Sequence, residues 1–145
     1  MRTGNNTELD VMLVDDNDDD IVVMQEMFSR VGGASVAGIA FDGIEALEHL
    51  ERTIDRAEKL PDVVLLDLNM PRMNGIEFLK EIRNDPNLSK SVVFVLTTSS
   101  DEEDKLKAYE SHVAGYIVKS DAGQSFMKAV DMLDRYWRVV ELPNQ

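Results

Sequence analysis

The stretch VMLVDDNDDDIVV, residues 11–23, indicates how the fold begins. Four apolar residues precede a run in which five of the six residues 15–20 are aspartates, and a second apolar run follows. A short β-branched run is typical of a buried strand, and acidic residues are favoured where a helix begins. We therefore predict a strand, a charged turn and a helix. So many carboxylates in one turn require a cation, a helix N-terminus or water beside them.

The rest of the chain repeats this alternation of short apolar runs and longer segments with helical spacing. Strand patterns occupy residues 11–14, 34–40, 63–67, 92–96 and 115–118. Five helices are predicted, beginning near residues 18, 43, 75, 101 and 124. Such alternation is typical of an α/β fold built from right-handed crossovers. We expect a five-stranded parallel sheet in the order 2-1-3-4-5 with five helices on both faces, a flavodoxin-like architecture.

Composition limits the classes of function. A chain of 145 residues with 43% hydrophobic content predicts one domain, residues 10–145, preceded by an N-terminal tail, residues 1–9. The net charge of −13 opposes nucleic-acid binding, and the absence of cysteine excludes disulfides and thiolate metal sites. No apolar run has the length of a membrane span, and the first residues lack a secretory signal. We expect a cytoplasmic protein with no membrane or nucleic-acid partner.

Three carboxylates are predicted to converge at one edge of the sheet. Ligands of open parallel sheets bind beyond the carboxyl ends of the strands, here between strands 1 and 3. Asp15 and Asp16 follow strand 1, and Asp67 ends strand 3. Oxygen ligands of this kind suit a hard divalent cation, so we predict a Mg²⁺ site. The remaining aspartates, residues 18–20, are explained by the helix start.

Two other ligands for the acidic run are weighed against Mg²⁺. Asp15, Asn17, Asp19 and Glu26 fall at positions 1, 3, 5 and 12 of an EF-hand calcium loop. However, Asp20 stands where that loop needs glycine, and a strand, not a helix, is predicted before it. A flavin phosphate after strand 1 is disfavoured because the aspartates would repel it.

The ends of strands 4 and 5 supply a hydroxyl and an amine. Thr97 follows strand 4, and Lys119 follows strand 5. Phosphoryl transfer to an aspartate needs a carboxylate nucleophile, a cation site and donors for the phosphoryl oxygens. The convergence of these groups at one edge favours that chemistry.

The motifs together resemble those of one family. The matching residues are VDD at 14–16, LLDLNMPRMNG at 65–75, Thr97, and GYIVK at 115–119. From about residue 10 to residue 136 the chain resembles receiver domains of two-component response regulators. The resemblance implies that Asp67 is the phosphoacceptor. It also implies that Mg²⁺ is bound by Asp15, Asp16, Asp67 and the backbone carbonyl of Asn69.

The same resemblance implies roles for residues on strands 4 and 5. Thr97 and Lys119 would contact the phosphoryl group, and Thr97 and Tyr116 would form the switch that reports it. The family usually has a cis proline after its lysine, whereas Ser120 stands here. A cis bond without proline costs about 2.5–4 kcal/mol, so we expect the Lys119–Ser120 bond to be trans and the loop after strand 5 to have a different shape.

The resemblance also implies a partner. Receiver domains accept phosphoryl groups from sensor histidine kinases. The pair Lys119–Ser120 and the ending YWRVVELP, residues 136–143, look like those of stand-alone regulators that serve bacterial phytochromes. The kinase is therefore expected to be a bacteriophytochrome, while the downstream target is not indicated.

The fifth predicted helix carries more apolar surface than one core contact needs. Its two adjacent stripes cover about half of the helix, wider than a core-facing stripe. We predict a homodimer through this helix and the C-terminal tail, whose interface contains Met132, Tyr136, Trp137 and Val139. A wide core contact is the alternative.

Two other functions are considered. A constitutive interaction module would keep the fold without switching, but it would not need the charged cluster. A hydrolase with an aspartyl-phosphate intermediate would need an acid where Asn17 stands. His49 and His112 are predicted to be solvated on helix surfaces and not to be phosphorylated.

Overall fold

A parallel sheet flanked by helices forms the frame of the protein, as seen in a computed structural model. The structure describes residues 9–31, 34–68, 70, 72–97 and 107–118, without the side chains of residues 31, 97 and 116–118. The elements are β1 (Leu9–Val14), α1 (Asp18–Val31), β2 (Ala34–Ala40), α2 (Gly43–Asp55), β3 (Val63–Asp67), α3 (Gly75–Asn84), β4 (Val93–Thr97) and β5 (Gly115–Val118). Residues 107–110 are also helical.

The strand order is β2-β1-β3-β4-β5, and every neighbouring pair is parallel. The five predicted strands and their order are therefore confirmed, although β1 begins two residues earlier and β4 lies one residue later than predicted. The described part of the chain contains four helical segments instead of the predicted five. The fifth predicted helix, which begins near residue 124, lies outside it, as do residues 1–8 of the predicted tail. Leu9, predicted as the last residue of the tail, is the first residue of β1. No helix within the described ranges is long and apolar enough to cross a membrane.

The central strands β1 and β3 are buried on both faces, which explains their nearly continuous apolar sequences. Val11 and Leu13 of β1 join one core cluster, whereas Met12 and Val14 join the other. Successive side chains of a strand point to opposite faces, so both faces need a cover. The helix α1 covers the first face with Ile21, Met24 and Phe28, as the helical spacing of these residues predicts. The second face is covered by α2 and α3, chiefly through Ala46, Leu50, Phe78, Leu79 and Ile82.

The N-terminal ends of β4 and β5 are held by one arginine of α3. The Arg83 guanidinium donates hydrogen bonds to the backbone carbonyls of Ser89, Ser91, Ser111 and His112, over 2.7–3.0 Å. Burial lowers the pKa of Arg83. This side chain connects the loop before β4 with the turn before β5 and fixes the edge of the sheet opposite the carboxylates.

The two histidines lie in different environments. The environment of His49 also differs from the predicted one. Residue 49 is half-buried, and its ring lies so close to Gly38 that a Cβ there would stand 2.7 Å from Nε2. The prediction of a solvated His49 is wrong because β2 bulges at residue 37 and has no side chain at 38 to keep the ring away. His112 is exposed as predicted, but it lies after the helical residues, with φ of 59°.

The end of α2 offers a stability test. Ala57 has a left-handed φ of 55°, and the N–H groups of residues 57 and 58 donate to the carbonyls of Ile54 and Thr53. This is a Schellman motif, whose left-handed position favours glycine. Ala57→Gly is expected to raise the free energy of unfolding by about 0.5–1 kcal/mol in chemical denaturation, despite the greater freedom of the unfolded chain. Ala46→Gly, inside the same helix and buried, should lower it instead, and a loss in both variants would contradict this assignment.

Candidate functional site

The register of β1 and β3 brings three carboxylates together. Val14 pairs with Leu66, so Asp15 and Asp67 lie side by side at the carboxyl ends of adjacent strands. One carboxylate oxygen from each of Asp15, Asp16 and Asp67 lies within 4.8 Å of the others. Asp15 is 0% exposed and Asp67 5%, whereas Asp16 is exposed. The cluster thus has a buried floor and one side open to solvent.

The aspartate run divides between this cluster and the start of α1. The N–H of Asp15 donates to the carbonyl of Ala40 in β2, and its Oδ1 accepts from the N–H of Asn17. Asn17 Oδ1 in turn accepts from the N–H groups of Asp19 and Asp20 and caps α1. The predicted division of the aspartates, with Asp15 and Asp16 in the cluster and residues 18–20 at the helix start, is therefore confirmed.

The calcium-loop alternative does not fit this geometry. The helix α1 begins at Asp18, within the twelve residues that would have to form the loop. β1, not a helix, precedes the run. The side chain of Asn17, which would have to bind calcium, caps α1 instead. The EF-hand reading is therefore wrong.

The carboxylate cluster fits a hard divalent cation. Two full charges within 4.8 Å of each other repel by at least about 3 kcal/mol at an effective dielectric constant of about 20. A cation of high charge density removes this repulsion, and carboxylate oxygens are the ligands that Mg²⁺ and related ions take. The open side at Asp16 leaves room for the water ligands that Mg²⁺ usually keeps.

The strands β4 and β5 end at the same edge. Asp67 pairs with Leu96, and Thr97 pairs with Val118. Thr97 therefore comes one residue beyond the partner of Asp67, as the parallel register predicts. The structure does not describe the side chains of Thr97 and Tyr116. The described ranges also exclude Asn69, Lys119, Ser120, Met132, Tyr136, Trp137 and Val139, whose roles stay predictions.

The loop that follows Asp67 closes tightly. The N–H of Gly75 donates to the carbonyl of Leu68 over 3.0 Å. A Cβ at Gly75 would stand 2.7 Å from the carbonyl oxygen of Asp67, so only glycine fits this approach. Asn74 and Glu77 form a capping box that starts α3 directly after the loop. Contacts within the loop that follows Asp67 therefore fix the backbone conformation around this residue.

Arg72 of this loop and Asp42, the N-cap of α2, form an ion pair that no pattern in the sequence marks. Position 42 was detectable as a cap because a helix is predicted from Gly43, but its partner lies 30 residues away. Burial disfavours the Asp42 carboxylate, yet hydrogen bonds from Arg72 and from the N–H of Glu45 outweigh that effect. The pKa of Asp42 is therefore below its ordinary value.

Comparison with known proteins agrees with this geometry. Residues 11–131 match the response regulator receiver domain. Response regulator Rcp1 of Synechocystis sp. is 34% identical over 135 residues, covering 92% of each chain.

Two solved structures are also similar. The phosphorylated cyanobacterial phytochrome response regulator RcpA is 35% identical with a TM-score of 0.80, over 94% of this chain and 99% of that one. The Mn²⁺-bound form of Rcp1 is 32% identical with a TM-score of 0.76, over 93% and 99%. From the extent of these matches, the chain belongs to the response regulator receiver domain family.

Proposed function

We propose that the protein accepts a phosphoryl group on Asp67 from a sensor histidine kinase in a Mg²⁺-dependent phosphorelay. The observation that carries this proposal is the cluster of Asp15, Asp16 and Asp67 at the carboxyl ends of β1 and β3 in a receiver-family chain. The Mg²⁺ ligands would be these three carboxylates and the backbone carbonyl of Asn69. The Mn²⁺-bound form of Rcp1 supports a divalent cation in such a domain.

The proposed chemistry is the one that membership of the receiver-domain family implies. An oxygen of Asp67 attacks the phosphorus of the donor, and the bond between phosphorus and the donor's leaving atom breaks. Asp15, Asp16 and Asp67 would hold a divalent cation, which would supply positive charge beside the phosphoryl oxygens. The Lys119 ammonium and the Thr97 hydroxyl donate hydrogen bonds to the same oxygens. Water later attacks the phosphorus and releases inorganic phosphate, which regenerates Asp67.

Phosphorylation would be reported by Thr97 and Tyr116. We infer that the Thr97 hydroxyl moves toward the new charge and that the Tyr116 ring turns inward. This shifts an equilibrium that exists before phosphorylation, on the face formed by residues 107–110, β5 and the following predicted helix. Output is a change in the binding of a downstream partner or in dimerisation through Met132, Tyr136, Trp137 and Val139.

The kinase is proposed to be a bacterial phytochrome. The support is similarity to RcpA, a phytochrome response regulator, and to Rcp1 over 92% of each chain. The expected cytoplasmic location and the absence of a nucleic-acid partner stay predictions.

The first test is the intact mass of the protein after incubation with acetyl phosphate, with and without Mg²⁺. One phosphoryl addition that depends on Mg²⁺ is expected. If folded protein gains no phosphoryl group from acetyl phosphate or phosphoramidate, the proposal is wrong and a constitutive interaction module is favoured. Transfer from a phytochrome kinase, compared with an unrelated histidine kinase, then tests the finer assignment.

A further inference from the structure

The loop after Asp67 is attached to α2 by a side-chain contact at one point. Arg72 Nε donates to Asp42 Oδ2 over 2.6 Å, and Arg72 Nη2 lies 4.0 Å from Glu45 Oε2. The Asp42 side chain is only 7% exposed, whereas that of Arg72 is 53% exposed. A charge-assisted hydrogen bond with one buried partner has a defined geometry. The contact therefore fixes where the loop lies relative to α2.

A backbone contact attaches the same loop at the neighbouring residue. The N–H of Gly43, the first residue of α2, donates to the carbonyl of Met73 over 3.0 Å. A Cβ at Gly43 would stand 2.6 Å from Met73 Cγ and 2.8 Å from its carbonyl oxygen. Glycine is needed here for the close approach of loop and helix. Arg72 itself has a left-handed φ of 60°, which is uncommon for a residue with a side chain.

Both ends of this connection lead to the carboxylate cluster. On one side, Asp42 comes two residues after Ala40, whose carbonyl accepts from the N–H of Asp15. On the other side, Arg72 lies in the loop that begins directly after Asp67. The ion pair thus joins the segment that holds Asp15 to the segment that follows Asp67.

We propose that Arg72 and Asp42 are positioning residues that hold the Asp67 loop in the conformation needed to bind the metal and accept the phosphoryl group. This inference rests on the proposed function, because it concerns the same site. Neither residue belongs to the carboxylate cluster, so the pair acts through the backbone of the loop.

The chain contains a matched ion pair at the opposite edge of the sheet. Lys59 Nζ lies 3.1 Å from Asp10 Oδ2 and 3.2 Å from Asp62 Oδ1, and the Asp62 side chain is 1% exposed. This pair also joins a loop lysine to a buried aspartate, but at the N-terminal ends of β1 and β3. Lys59→Ala therefore removes a comparable contact that lies at the other end of the strands from the cluster of Asp15, Asp16 and Asp67.

The experiment compares Mn²⁺ affinity and thermal stability in four full-length proteins: the parent, Arg72→Ala, Asp42→Asn and Lys59→Ala. Asparagine at 42 keeps an oxygen that accepts from the N–H of Glu45, but it replaces the oxygen that accepts from Arg72 by an NH2 group, which cannot accept. Free Mn²⁺ is measured by electron paramagnetic resonance well below the melting temperature of every variant. Arg72→Ala and Asp42→Asn are expected to weaken Mn²⁺ binding about three- to tenfold, whereas Lys59→Ala should change it less than twofold while also lowering the melting temperature.

The outcomes separate this inference from the proposed function. If the parent binds no Mn²⁺, the proposed metal site fails and the inference fails with it. If the parent binds Mn²⁺ and the variants at 72 and 42 bind it equally well, only the positioning role is overturned. An equal loss in Lys59→Ala would show that the pair acts through general stability. If Arg72→Ala does not fold, Asp42→Asn decides by the same criterion.

Discussion

Asp67→Asn is expected to abolish phosphoryl uptake from acetyl phosphate, with a loss of roughly a thousandfold or more in rate. A carboxamide oxygen is a poor nucleophile, and removal of a nucleophile has effects of at least this size in enzymes. The measurement is the intact mass of parent and variant after incubation with acetyl phosphate and Mg²⁺. The chain should carry one phosphoryl group in the parent and none in the variant.

Loss of fold is not expected to explain that result. Asp67 is nearly buried and close to Asp15 and Asp16, so replacing its carboxylate by an amide reduces repulsion within the cluster. The variant should therefore melt no lower than the parent in metal-free buffer. Asp55→Asn, at the exposed end of α2, is the control and should be labelled like the parent. Undiminished labelling of Asp67→Asn would assign the phosphoryl group to another residue.

Mg²⁺ is expected to raise the melting temperature of the parent protein. The variant Asp16→Asn is expected not to respond to Mg²⁺ in this way. A ligand that binds only the folded state at ten times its dissociation constant adds about 1.4 kcal/mol of stability. For a domain of this size, that corresponds to a rise of roughly 4–6 °C in melting temperature. Asp16 is suited to the test because it is exposed, so asparagine leaves no cavity.

The control for this second prediction is Asp19→Asn. Residue 19 is also an exposed aspartate of the same run, but it lies in the first turn of α1 outside the cluster. It should keep the Mg²⁺ response. Chelation with EDTA should return the parent and this control to their metal-free melting temperatures. An Asp16→Asn protein that responds to Mg²⁺ like the parent would exclude Asp16 as a ligand.

The central geometry of the site could be predicted because it depends on simple periodicities. The ends of strands follow from apolar runs, and the carboxyl ends of parallel strands share one edge. Asp15 and Asp67 therefore had to be neighbours once strands 1 and 3 were adjacent. Strand β1 is two residues longer than predicted because Leu9 and Asp10 pair with Ala34 and Ser35, and such pairing is not visible in a local pattern.

The environment of His49 shows where such reasoning fails. Its position on α2 was predictable, but its exposure depends on the strand beneath it. The bulge at Ala37 and the missing side chain at Gly38 admit the ring. These features belong to β2, so the exposure of His49 cannot be predicted from the sequence of α2 alone.

The sequence by itself determined the strand order, the convergence of Asp15, Asp16 and Asp67, and the division of the aspartate run. Each depends on local periodicity combined with a general rule for parallel sheets. Only the tertiary structure decided the partners of Arg72 and Arg83. Arg72 bonds to Asp42, 30 residues earlier, and Arg83 bonds to backbone carbonyls up to 29 residues later. A carbonyl has no residue-specific signature, and one arginine resembles any other in sequence, so such contacts become visible only when the chain has folded.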